Sequence, residues 1–178
     1  DAAPISAPAE IQELRLLLEP HADRLRIVDR PAARAVEDLA DSLLELEPTV
    51  VHIACHGELD SGLCLSTAAG WSCPIDAEDL LRLLRRSRNL RCIVLAACQS
   101  DRLAQTLSAH IEVAIGFEGP VNDDAARAFA RGFWSTLSKG LDISEAFADG
   151  RLNLQDRAQV KLFTKPGINA RDIIPLPK

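Results

Sequence analysis

Methionine is absent from all 178 residues, initiator included, so the chain reads as an excised piece of a longer protein or one half of a processed one. No apolar run reaches 18 residues, which leaves no segment suited to a membrane-spanning helix. The start shows no signal peptide. There is no excess of positive charge: 20 Lys and Arg face 26 Asp and Glu, for a formal net charge of −6, and no nucleic-acid face is expected. Arg82, Arg85, Arg86 and Arg88 read as a solvated helix face. The phosphate-cradling patterns G-x-G-x-x-G and G-K-S/T are both missing, which removes the usual nucleotide loops. C-x-x-C and H-E-x-x-H are missing too. His52 and His56 fall on one face of a strand, but Cys55 points away from both, so no metal and no cofactor is expected. Trp71 and Trp134 stand too far apart in sequence to suggest a base-stacking platform. Five cysteines, an odd number at irregular spacing, fit a reducing, cytoplasmic compartment better than a disulfide framework.

What is present suits one globular domain over residues 1–178: 47% of the residues are hydrophobic and 26% charged, enough for a proper core. Helical spacing runs over 9–18, with Pro20 as its stop, and over 33–46, where Val36, Leu39, Leu43 and Leu46 share a face. A short strand is expected at 25–28 and a buried one at 49–54. Residues 62–66 and 71–75 read as a hairpin around Thr67-Ala68-Ala69-Gly70, which would set Cys64 opposite Cys73. A helix capped by Asp76 follows, with Glu78 and Asp79 in its first turn. Then come a strand at 92–97, a helix at 101–109 and a strand at 111–117. A helix from Asp123 or Asp124 runs to about 137 and is closed by Gly140. A further helix at 143–152 and a last strand at 160–164 complete the pattern. Strands alternating with helices predict an α/β fold: a mostly parallel sheet of five or six strands with helices on both faces.

The two longest apolar strands end on reactive residues. Val50-Val51-His52-Ile53-Ala54-Cys55 runs into His56-Gly57, and Cys92-Ile93-Val94-Leu95-Ala96-Ala97 runs into Cys98. In an open parallel sheet, ligands bind at the carboxyl ends of the strands. Neighbouring strands lie about 4.8 Å apart, so side chains at adjacent tips can grip one small reacting group. A thiol needs such a neighbour, since an imidazole beside it takes its proton. Gly57 lets the chain turn at once and offers its N–H as an oxyanion donor, with the Cys98 N–H as the second. His52 reads as a buried, hydrogen-bonded core histidine, and Cys92 as a core thiol.

Three blocks occur in order: the strand 51–55 followed by His56-Gly57; Leu95-Ala96-Ala97-Cys98-Gln99-Ser100; and Ala114-Ile115-Gly116-Phe117-Glu118-Gly119-Pro120-Val121-Asn122-Asp123-Asp124, leading into Ala125-Ala126-Arg127-Ala128-Phe129 and Phe133-Trp134. Together, over about residues 9–164, they resemble the CHAT family, caspase-like peptidase domains of the caspase–separase clan. Ala97-Cys98-Gln99 also fits three positions of the caspase signature, from which Ala96 and Ser100 depart.

The resemblance implies a caspase-like three-layer sandwich with a small β-hairpin insertion. It implies a cysteine endopeptidase with His56 as general base, Cys98 as nucleophile, and Gly57 and Cys98 as oxyanion donors. Asp123, with Asp124 as runner-up, matches the acidic position that recognises a basic side chain in relatives, so cleavage after Arg or Lys is expected. A plain N-cap is the other reading of Asp123. Glu118 opens the loop 118–122, which corresponds to part of the relatives' substrate cleft. The relatives begin with a further apolar strand. Asp1-Ala2-Ala3-Pro4 looks like its tail, so a preceding segment or another chain is expected to supply it. Such domains usually follow repeat or sensor modules, which implies regulatory domains and a protein substrate as partners, in a bacterial defence or death system. A caspase-like scaffold without activity is the alternative.

Overall fold

The computed structural model describes residues 7–26, 28, 35–58, 62–66, 72–156 and 159–176. In chain order the elements are α1 (Ala7–Leu18), α2 (Ala35–Leu46), β1 (Val50–Ala54), β2 (His56–Glu58), β3 (Gly62–Ser66), β4 (Ser72–Ile75), α3 (Ala77–Leu84), β5 (Cys92–Ala96), α4 (Asp101–Leu107), β6 (Val113–Phe117), α5 (Asp123–Ser138), α6 (Ile143–Leu152) and β7 (Val160–Thr164). The main sheet has the order β1-β5-β6-β7. β1, β5 and β6 are parallel, and β7 returns antiparallel to β6.

The period-2 alternation of the strands divides the core in two. Ile53, Ile93, Leu95 and Ala114 face Leu43 of α2, Leu80 and Leu84 of α3, and Leu107 of α4. Val94, Val113, Ile115 and Phe117 face Phe129, Phe133 and Leu137 of α5 and Ile143 of α6. α1 packs against α5 on that second side. With both faces covered, β5 and β6 are buried at every position. β1 has only Ile53 buried and pairs with β5 alone among the described residues.

The small sheet holds three strands, β2-β3-β4, rather than a bare hairpin. The chain does not turn at Gly57: His56, Gly57 and Glu58 continue as β2 and pair antiparallel with β3. The register sets Cys64 opposite Pro74 and Cys73 opposite Leu65. Cys64 and Cys73 are therefore one residue out of step and do not face each other, because a one-residue slip reverses the face. The residues of the expected turn, 67–70, lie outside the described ones.

One further expectation differs: Leu25, Arg26 and Val28 form no strand, and Ile27 lies outside the described residues. α1 ends at Leu18 as expected, and Pro20 follows in a 3-10 turn, Glu19–His21, where its missing N–H costs nothing. The Asp76 cap is as expected, accepting from the Asp79 N–H at 2.9 Å.

Candidate active site

The sheet register positions the site. The last rung between β1 and β5 is Ala54–Ala96, and the Cys55 N–H still reaches the Ala96 carbonyl at 3.3 Å. Two residues past that rung come His56 on one strand and Cys98 on the other. The backbone thus carries both to the same end of the sheet, where His56 opens β2 opposite Cys64.

Cys98 stands on the turn between β5 and α4. The next residue, Gln99, has a left-handed backbone (φ 54) without being glycine. Such strain persists only where surroundings hold it. Here the Gln99 N–H donates to the Gly119 carbonyl at 2.9 Å. The Cys98 thiol is half-buried. It donates to the Val121 carbonyl at 3.6 Å, and the Val121 N–H points at Sγ from 3.3 Å. β5 thus gives way to a tight strand-to-helix turn, with the half-buried thiol packed beside the core cluster that holds Phe117 and Phe129.

Two of the other thiols are placed differently. Burial, with Cys64 nearby as the lesser cause, pushes the Cys55 thiol up to about 12. Burial likewise raises Cys92, which is fully enclosed in β5. Neither gives up its proton easily, and none of the five cysteines is in a disulfide.

The acidic residues beyond β6 do not act alike. The N-cap of α5 is Asn122, whose side chain accepts from the Ala125 N–H, so Asp123 is not the cap. Asp123 sits half-buried in the first turn. Asp124 is exposed and bonds Arg127 at 2.6 Å. That bond, with Glu13 and Asp123 adding to it, raises the Arg127 guanidinium further above its ordinary value. Glu118 is exposed and lies 3.1 Å from the Lys161 ammonium. The loop residues Glu118 to Asn122 are anchored by the Glu118 N–H to the Gln159 carbonyl and by the Gln159 amide to the Pro120 carbonyl.

His52 is the core histidine that its strand position implied. Its Nδ1 accepts from the Trp134 indole N–H at 3.0 Å, and its Nε2 lies 3.3 Å from Glu10 Oε1. The rings of His52 and Trp134 stack nearly parallel. Burial holds this imidazole below its ordinary value against the opposing pull of Glu10. Among the described residues no group of three His, Cys, Asp or Glu side chains gathers to hold a metal ion.

Sequence reasoning missed Ser100, Val121 and Glu10. Ser100 stands just before a helix, a position where serine ordinarily caps. Nothing in the pattern marks a backbone amide such as Val121, or a buried carboxylate on an amphipathic helix such as α1.

A largely parallel four-stranded sheet with helices on both faces, plus a small antiparallel sheet inserted after the histidine strand, is a caspase-like α/β sandwich. The family model described as the CHAT domain matches residues 2–168, and the chain belongs to that family. No curated protein matches the chain. No helix among the described residues is long and apolar enough to cross a membrane.

Proposed function

We propose that this CHAT module is a cysteine endopeptidase with a Cys98–His56 dyad. The observation that carries the reading is the Cys98 turn: a half-buried thiol beside the left-handed Gln99, on the strand end in register with the one leading to His56. His56 takes the thiol proton and the thiolate attacks the scissile carbonyl. The N–H groups of Gly57 and Cys98 receive the oxyanion. The C–N bond breaks, the amine leaves with the proton from His56, and water hydrolyses the thioester to restore the thiol. Asp123 favours Arg or Lys before the cut bond, with Asp124 as runner-up and Glu118 on the cleft loop, the last two already paired with Arg127 and Lys161. The substrate is a protein, and sensor or regulatory domains control the module. A cytoplasmic bacterial defence or cell-death pathway is the setting that this chemistry suits.

One observation favours a second reading, a catalytically silent caspase-like scaffold. The thiol's hydrogen-bond partners among the described residues are the two backbone groups of Val121, so its donor and acceptor capacities are both taken. Cleavage of a peptide library by the chain beside Cys98→Ala separates the two. Cutting after Arg or Lys that vanishes in the variant, by more than about a thousandfold, is the peptidase result. Asp123→Asn then lowers the preference for the basic residue. No cutting by the chain, nor by the full-length parent with its regulatory domains, leaves the scaffold.

A further inference from the structure

We propose that Ser100 is a positioning residue for Cys98, an assignment that deepens the peptidase reading and rests on it. Ser100 is 2% exposed and occupies the position just before α4, where serine normally caps a helix. It makes no cap bond. Its hydroxyl turns back instead, 2.8 Å from both the Leu95 and the Ala97 carbonyls, and accepts the Phe117 N–H at 2.9 Å. A hydroxyl has one proton and two lone pairs. The proton is shared between the two carbonyls at the end of β5, and a lone pair takes the amide at the end of β6.

Those two strand ends carry the two partners of the sulfur contact. Ala97 leads directly into Cys98. Phe117 leads into the loop that brings the Val121 N–H to 3.3 Å from Sγ. The Gln99–Gly119 bond is a second tie between the same turn and the same loop. There is no slack between them: a Cβ on Gly116 would stand 2.5 Å from the Ser100 carbonyl oxygen. Ser100 therefore fixes the Cys98 turn against the Val121 loop. An N–H aimed at sulfur stabilises negative charge there as the thiolate forms. If the hydroxyl is lost, the turn and the loop slip, and that alignment goes with them.

The test compares Ser100→Ala, Ser100→Cys and Ser100→Thr in two assays, each run well below the melting temperature of every variant. The first is hydrolysis of an Arg- or Lys-containing peptide. The second is alkylation of Cys98 by iodoacetamide, read by peptide mapping, with Cys73 as internal reference. The expected result is a kcat about tenfold lower in the Ala and Cys variants at unchanged KM, because Ser100 touches no substrate. Alkylation of Cys98 slows about fivefold while that of Cys73 holds, and threonine restores both. Unchanged kcat and unchanged Cys98 alkylation beside a lower Tm would make Ser100 a structural residue only and overturn the proposal. If neither the unmodified chain nor the full-length parent cuts anything, the peptidase reading fails by itself. The alkylation comparison still decides the positioning: selective slowing at Cys98 supports it, and no change ends it.

Discussion

Two polar clusters flank β1 and β5, and they are built in opposite ways. Under α1, His52 stands between the Trp134 indole and Glu10, and Glu10 is 2% exposed. Both Glu10 oxygens and His52 Nε2 are buried without a hydrogen bond. At the tip of β5, by contrast, the Ser100 hydroxyl and the Cys98 thiol both have backbone partners. A histidine beside a carboxylate resembles an acid–base pair, yet here its basic nitrogen is consumed. An indole N–H only donates, so Nδ1 must accept and the neutral ring carries its proton on Nε2, facing Glu10. The Cys98 turn holds no buried charge but leaves a thiol half-exposed. Reactive residue types alone do not mark a site; what matters is whether the lone pair or the thiol is left within reach of a substrate.

The sharpest way to break the well-bonded cluster is Gly116→Ala. The added methyl meets backbone on β5's side of the turn, not the flexible end of a side chain. A cost of about 3 kcal/mol is expected, the upper end for overpacking, because neither strand can yield. Chemical denaturation measures it. A cost below about 1 kcal/mol would mean that the strand ends are looser than the Ser100 bonds imply.

The poorly bonded cluster is predicted to respond with either sign. Trp134→Phe keeps the ring but removes the donor, leaving Nδ1 buried and unpartnered, and is expected to cost about 1–2 kcal/mol. Glu10→Leu removes a buried carboxylate that has no hydrogen bond to lose, and is expected to raise stability by about 1 kcal/mol. Melting curves of the two variants at one pH check both. A large loss in Glu10→Leu would show that the pair holds α1 in place and would remove the contrast with the Cys98 turn.

Much of this was legible because it depends on pattern. Continuous apolar runs gave β5 and β6, and helical periodicity together with caps gave α3, α5 and α6 nearly to the residue. His56 and Cys98 could be picked as strand-end residues from sequence alone. What was not legible depends on register and on backbone. The Cys64–Cys73 pairing failed by one residue, which the turn decides and composition does not. β1 and β5 both read as buried, but β5 has a strand on each side and β1 has one neighbour among the described residues. Asn122 rather than Asp123 caps α5, since both are good caps and only geometry chooses between adjacent ones. Ser100 carried the signal of a helix cap and spends its hydroxyl elsewhere.

The smallest predicted effect bears on the proton itself. Burial lowers His52 below its ordinary value of 6.5, so the folded chain binds fewer protons at this site than the unfolded chain just below that pH. Stability is then full above 6.5 and declines as the pH falls beneath it, because the unfolded imidazole gains a proton that burial disfavours in the folded one. Glu10 and Trp134 are the groups facing this ring from α1 and α5, and Glu10 is the influence opposing the shift. Glu10→Gln therefore extends the acid-side decline to lower pH, and adding His52→Gln to it flattens the decline. Melting temperatures across the acid range test this. A curve for Glu10→Gln that stays flat without the second substitution would place a charged imidazole in the core. The two clusters would then differ in burial alone, not in how their lone pairs are used.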